Sequence, residues 1–279
     1  LPSDLANGRE PYPLPCVNSV DDAPAPADFT YVAELLTPAP LQQDNTIQTL
    51  QGCSCRDSCA DSCGCTAVSV RRWYRGGRLR DDFPYHDAPL LFECNATCAC
   101  NPKRCTNSPV SRLLKSGSLW VRAQVYRVGG ARGWGLRCVS RVPRGAPVAA
   151  YTGELLYAAL ADQRAPDHYM FAIDVKPGLL EQLADARQFC VDAAVFGGAA
   201  RFMNHSCAPS LTPLRVLTSS RDLRAATITL FAVEDLPPYT PLTFDYGDKF
   251  WSVKSKYMSC ECGEPNCRYP TKSTEDMET

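Results

Sequence analysis

The sequence predicts a mainly β chain carrying a cysteine-rich, metal-binding module towards each end. Three observations point there. Of 279 residues 16 are cysteine; nine fall between Cys53 and Cys105, and three more are Cys260, Cys262 and Cys267. The 23 prolines disfavour long uninterrupted helices. Between the cysteine clusters, short runs of β-branched and aromatic residues alternate with Gly and Pro, the pattern of strands joined by turns.

Residues 1–45 are rich in Pro and Ala, as in Pro24-Ala25-Pro26-Ala27, and read as an extended segment that wraps a core. Residues 46–113 form the first cysteine module and residues 118–247 a central β domain. Its expected strands cover 119–126, 147–151, 169–174, 189–192 and 226–233, with short helices over 155–164 and 179–187. Residues 256–272 form the second cysteine module, and the polar end beyond it is expected to fray. Leu1 in place of Met is what a fragment of a longer chain would show.

Composition removes several function classes. No apolar run reaches the roughly 18 residues of a membrane span, and the first residues lack the pattern of a signal peptide. A formal net charge of −1 lacks the basic excess of a DNA-binding domain and suits an acidic groove that receives a basic peptide. Arg71-Arg72-Trp73-Tyr74-Arg75 is the one candidate for nucleic-acid contact and reads better as a loop between cluster halves. No direct DNA readout is expected.

Two readings of the cysteines compete: a secreted disulfide scaffold and zinc binding. The glycosylation triplets Asn95-Ala96-Thr97 and Asn204-His205-Ser206 slightly favour secretion. Four Cys-x-Cys pairs favour zinc. The first cluster is Cys53, Cys55, Cys59, Cys63, Cys65, Cys94, Cys98, Cys100 and Cys105. Three tetrahedral zinc ions need twelve zinc–sulfur bonds. Nine thiolates supply them if three bridge two ions each, so an odd number that defeats paired disulfides suits a trinuclear cluster. Its charge sums to −3. Arg56, Arg71, Arg72 and Arg104 could offset it, or be ordinary solvated charges. All-sulfur sites have no open position for water, so the cluster reads as structural.

This cysteine order resembles the pre-SET module of Suv39-family SET-domain lysine methyltransferases. Pro15-Cys16-Val17-Asn18 and Leu91-Phe92-Glu93-Cys94-Asn95 resemble the euchromatic histone lysine methyltransferase branch. The three residues between Cys59 and Cys63 make that spacing one shorter than the family's. Four further segments carry the resemblance through the SET and post-SET regions. In Arg132-Gly133-Trp134-Gly135-Leu136, glycines permit close backbone approach to a ligand; the resemblance makes Arg132, Gly133 and Trp134 contacts of S-adenosylmethionine. Arg201-Phe202-Met203-Asn204-His205-Ser206-Cys207 resembles the SET motif of a pseudo-knot between small curved sheets, which implies that Asn204 and His205 bind the cofactor. Thr243-Phe244-Asp245-Tyr246-Gly247 makes Tyr246 the candidate catalytic residue, with Phe250-Trp251 and Lys254-Ser255-Lys256-Tyr257 extending the likeness. The fourth segment holds Cys260, Cys262 and Cys267. These leave a zinc one ligand short, and the resemblance supplies Cys207, pinning the C-terminal segment over the cofactor motif. Glu261 is a further candidate cofactor contact.

The resemblance implies transfer of a sulfonium methyl group to a lysine of the histone H3 tail, lysine 9 by family, in transcriptional silencing at nuclear chromatin. Tyr246 would orient the amine, and Tyr169 would line both channel and cofactor. Phe244 lacks the hydroxyl with which a tyrosine would crowd the site, so mono- and dimethylation are expected, with room for a third methyl. Asp174 and Asp192, at strand ends, are the candidate substrate-binding acids, ahead of Glu181 and Asp185. Gly197-Gly198-Ala199-Ala200, Ala150, Ser210 and a longer stretch over 176–187 depart from the family pattern; the last puts peptide specificity in question. His86, His168, Cys16, Cys138 and Cys190 carry no role in this reading. A methyltransferase for a non-histone lysine and a non-catalytic chromatin-binding SET module are the alternatives.

Overall fold

A computed structural model describes residues 1–38, 52–161, 163–164, 168–173, 189–218 and 226–270. Its strands are β1 (Cys16–Val17), β2 (Thr30–Tyr31), β3 (Tyr74–Arg75), β4 (Arg78–Leu79), β5 (Leu91–Phe92), β6 (Ala123–Arg127), β7 (Trp134–Cys138), β8 (Pro147–Ala150), β9 (Gly153–Tyr157), β10 (Met170–Ile173), β11 (Phe189–Gly197), β12 (Leu211–Leu217) and β13 (Thr227–Ala232). The fold is mainly β, as the sequence predicts. The longest described helix, Asp248–Lys254, has seven residues, and none is long and apolar enough to cross a membrane.

The strands form three small sheets and a hairpin. One sheet runs β1-β6-β7; a second is built around β11, which pairs with β10, β9 and β2; the third runs β5-β12-β13-β8. The hairpin β3-β4 turns through Gly76 and Gly77, both at positive φ, the geometry of a tight two-residue turn. The main apolar core lies between the three sheets, with Val125, Val148, Leu211, Leu230 and Leu236 among its buried residues, and a second cluster gathers Trp73, Tyr74, Phe83, Leu91 and Phe231.

Residues expected to form a helix over 155–164 instead continue β9 to Tyr157 before a single turn at Ala158–Ala161. Leu155 and Leu156 pair with Val191 and Cys190 across β11, and both are buried, so sheet pairing overrides helix propensity. The approach is close: a Cβ on Gly153 would lie 2.3 Å from the Asp192 carbonyl oxygen. The helix expected over 179–187 lies outside the described residues.

The N-terminal segment wraps the core. β1 and β2 add in parallel to β6 and β11, and Leu36 bridges Glu154. Glu10 fastens the wrap. Its buried carboxylate accepts hydrogen bonds from Tyr31 Oη (2.7 Å), Ser118 N (2.8 Å), Ser118 Oγ (2.6 Å) and Leu119 N (2.9 Å). A buried carboxylate with this many donors is costly to remove, because the donors remain unsatisfied. Glu10→Ala should lower unfolding stability by about 3 kcal/mol, read from the urea midpoint, without loss of cysteine-bound metal.

Candidate active site and metal centres

The chemistry gathers where two distant segments lie side by side. Residues 203–206 end a 3-10 turn (Ala199–Phe202), and residues 243–246 lead into the helix Asp248–Lys254. His205 and Phe244 form a parallel bridge, closed by Phe244 N to Asn204 O and by Ser206 N to Phe244 O, each 3.2 Å. This pairing puts Asn204, His205, Phe244 and Tyr246 in one place.

Two cavities meet there. One, of about 710 Å³, is lined by Arg132, Gly133, Trp134, Asn204, His205 and Glu261, with Cys260 and Cys262 beside them. The other, of about 680 Å³, is walled by Tyr151, Phe171, Phe244, Phe189 and Met203. Both sizes are ordinary for small-molecule sites. Tyr169, Tyr246, Arg201, His168 and Phe250 line both.

The tyrosines at this junction are held by backbone. Tyr246 Oη donates to Met203 O (2.9 Å), and Tyr151 Oη donates to Tyr169 O (2.8 Å). Burial pushes the Tyr246 phenol well above its ordinary value, with the Tyr169 charge acting in the same direction. Phe244 packs 4.9 Å from Tyr246 and 5.6 Å from Phe171, ring centre to ring centre. Asn204 Nδ2 donates to Trp134 O (3.1 Å), which ties the first predicted cofactor segment to the second. The Asn204 glycosylation triplet thus lies within a cavity wall.

His205 is buried, and burial lowers its pKa against the raising effect of Asp245. Its Nδ1 accepts from Tyr246 N (3.1 Å) and Trp251 Nε1 (3.4 Å). That places the ring proton on Nε2, 3.3 Å from Cys207 Sγ. His205 therefore reads as an orienting group beside a sulfur ligand, the usual outer partner of a metal centre.

The sulfur atoms of Cys207, Cys260, Cys262 and Cys267 lie within 4.8 Å of one another. In the first module the overlapping groups Cys53-Cys55-Cys59-Cys63, Cys53-Cys65-Cys94-Cys98 and Cys53-Cys59-Cys94-Cys100 meet the same limit, and Cys105 is buried in the same cluster. All sixteen cysteines are free thiols. Separations of 3.7 Å (Cys53–Cys59), 3.4 Å (Cys59–Cys94) and 3.7 Å (Cys65–Cys98) far exceed a disulfide. They match the spacing of about 3.8 Å between thiolates on one tetrahedral zinc. Thiols this crowded oppose one another's ionisation: Cys100 is pushed up to about 12, by burial first and then by Cys105. A divalent cation relieves that opposition, so the donor set fits zinc. The arginines near the cluster pair with carboxylates instead: Arg71 with Asp82, Arg72 with Asp61 (3.3 Å) and Arg104 with Asp57 (3.6 Å).

Not every predicted residue reaches the cavities. Asp192 is buried, and its carboxylate is taken by Arg164 (3.1 Å) and Ala194 N (2.9 Å). Asp174, Glu181 and Asp185 lie outside the described residues. Sequence reasoning gave no role to Tyr151, Phe171, Phe250 or His168, which the fold brings to the walls; Phe250 carried a signal, as one of two aromatic residues just beyond Gly247.

Two cavities thus abut, one of nucleoside size and one walled by aromatic rings, with a cluster of four sulfurs beside the first. The chain belongs to the SET-domain family. A SET domain matches residues 133–247 and a Pre-SET motif residues 6–108. Human histone-lysine N-methyltransferase EHMT1 is 40% identical over 95% of this chain, which spans 20% of that protein. SUVH4 of Arabidopsis thaliana, named as H3 lysine-9 specific, is 33% identical over 95% of this chain and 46% of its own length. Two solved structures align: KRYPTONITE in complex with mCHH DNA, H3(1-15) peptide and SAH (TM-score 0.75, 33% identity, covering 96% of this chain and 53% of that one), and DIM-5 of Neurospora, a histone lysine methyltransferase (TM-score 0.71, 30% identity, 85% and 95%).

Replacing Cys207 by Ser should release one metal ion per chain, counted by elemental analysis, and expose residues 258–270 to protease. Metal in the first module should remain.

Proposed function

We propose that this chain is an S-adenosylmethionine-dependent protein-lysine N-methyltransferase that acts on the histone H3 tail at lysine 9, in the nucleus. The carrying observation is the pair of cavities that share Tyr169 and Tyr246, so donor and acceptor can approach one junction from opposite sides. The relatives named for histone-lysine methylation, and the neighbour that holds an H3 peptide with SAH, support the same reading. We further propose three zinc ions in the first cysteine module and one held by Cys207, Cys260, Cys262 and Cys267, consistent with the overlapping sulfur groups.

Bound S-adenosylmethionine would supply an electrophilic methyl group on a sulfonium. Asn204, whose amide N–H is spent on Trp134 O, has its carbonyl oxygen left to accept from the donor's ammonium. Trp134 and Gly133 offer a flat apolar contact and close backbone approach, with Arg132 and Glu261 at the rim of the same cavity. The lysine must arrive neutral, and at pH 7.4 a free side chain with pKa near ~10.4 costs about 4 kcal/mol to deprotonate. The channel formed by Tyr151, Phe171, Phe244 and Tyr246 reduces that cost by stripping water from the ammonium. Tyr246 is no general base: burial raises its phenol, whose O–H is donated to Met203 O. Its oxygen lone pairs remain to accept from the amine and so orient it. Phe244, packed against Tyr246 at 4.9 Å between ring centres, offers no such acceptor, so an amine already bearing methyl groups fits as well as a bare one.

Purified chain with labelled S-adenosylmethionine should methylate an H3 tail peptide, and the signal should vanish when lysine 9 is replaced by arginine; equal labelling of both peptides would refute the assignment. Mass spectrometry should find mono- and dimethylated product from the wild type and a shift to monomethyl product from Phe244→Tyr. Because the raised Tyr246 phenol stays protonated, kcat/KM should climb about tenfold per pH unit as the lysine ionises, with no falling limb below about pH 10.

A further inference from the structure

The N-terminal segment does more than wrap the core. Pro24, Ala25, Pro26, Ala27 and Asp28 form one wall of the cavity that also holds Trp134 and Asn204. Directly after them, Phe29 meets Arg201. The Arg201 guanidinium carbon lies 4.1 Å from the centre of the Phe29 ring and 4.3 Å from the centre of the Tyr169 ring. The cation is thus sandwiched between an aromatic ring of the N-terminal segment and the tyrosine shared by both cavities.

Everything around the sandwich fixes it in place. Arg201 is buried, with Nε donating to Ala193 O (3.0 Å) and Nη2 to Ala194 O (3.2 Å), both in β11. Phe29 also meets Phe202 edge to face at 5.5 Å. β2 follows Phe29 at once and pairs with the end of β11, the strand that supplies the Arg201 acceptors. Tyr169, by contrast, precedes the short edge strand β10. The one side-chain hydrogen bond described near it goes to its carbonyl oxygen, from Tyr151, and leaves the ring itself to be held by packing. Guanidinium stacking supplies that hold, and it is strongest when the cation is desolvated, as here.

We propose that the N-terminal segment is a working part of the methyl-donor site, and that Phe29 and Arg201 are positioning residues which set the Tyr169 ring between the donor cavity and the lysine channel. The inference rests on the donor and channel assignments made under the proposed function. Its consequence is that the segment before the first cysteine module tunes donor affinity although none of residues 24–29 is a proposed metal ligand.

The test uses the whole chain and reads donor binding directly, by calorimetric titration with S-adenosylmethionine, alongside kcat and both KM values. Phe29→Leu keeps apolar bulk but removes the aromatic face. It should weaken donor binding by about tenfold, raise the donor KM in proportion, leave the peptide KM within twofold, and retain wild-type metal content. Phe29→Tyr should restore binding. In a Tyr169→Ala background the same Phe29→Leu change should cost less than twofold, since its effect is transmitted through the Tyr169 ring. Wild-type donor affinity in Phe29→Leu would overturn the proposal. So would an undiminished tenfold loss in the Tyr169→Ala background, which marks a general structural role. If the wild type itself takes up no donor, the methyltransferase reading fails, an outcome separate from either of these.

Discussion

Residues 203–206 and 243–246 are joined by only a few backbone bonds, yet the site depends on that contact. It sets His205 against Tyr246 across 41 positions of sequence, and it aims Asn204 and Tyr246 at adjoining cavities. Four hydrogen bonds of ordinary strength would hold such a crossing weakly, since each contributes about 1 kcal/mol net. The sulfur site supplies the rest. Cys207 follows the crossing at once, and its three partners belong to the C-terminal segment, so one metal ion would fasten both sides of the cavity. Arg268 and Tyr269 add a latch of their own: Arg268 pairs with Asp245, and Tyr269 stacks on Trp251 at 4.8 Å and donates to Asp248 (2.6 Å).

The two cysteine modules answer a problem of size. The first has little apolar side-chain material between Cys53 and Cys65, and its buried groups there are almost all sulfur. A segment that cannot bury enough hydrocarbon to offset its chain entropy is held by metal instead. Having been made rigid, it joins the β domain through β5, which leads directly into Glu93 and Cys94 and pairs with β12. Glu93 is itself buried and accepts from Val110 N (2.9 Å) and Ser111 N (2.7 Å), tying the module to the following helix Pro109–Leu113.

Much of this was legible in the sequence, for physical reasons that differ by residue. The cysteine sets were plain because metal ligation needs specific atoms at close spacing, and the described sulfurs fall into the expected groups. Strands such as β8, β10 and β13 showed through their β-branched and aromatic content. β7 did not, because Gly135 interrupts its run of side chains. β9 was taken for helix because its leucines face a partner strand invisible in one dimension. Asp192 was singled out for its place at a strand end, but its partner Arg164 is 28 positions away in sequence. Phe29 gave no signal at all: its meaning comes only from Arg201 and Tyr169, which lie far from it in sequence.

The polarity of the channel follows from where the phenolic protons go. Tyr246 and Tyr151 each give their proton to a backbone carbonyl, so neither presents an O–H to the channel. Tyr246 therefore meets an incoming amine as an acceptor only. Phe244, tilted 31° to Phe171 and packed against Tyr246, contributes hydrocarbon beside it. On the proposed reading, an amine that reaches Tyr246 would be held by one N–H and would otherwise meet ring faces, which tolerate methyl groups as readily as hydrogens. A channel of this kind selects for the direction of the nitrogen lone pair rather than for the number of hydrogens on it. On the proposed reading, product number would follow from the hydroxyl missing at Phe244, and rate from how firmly Tyr246 and Tyr169 keep their angles.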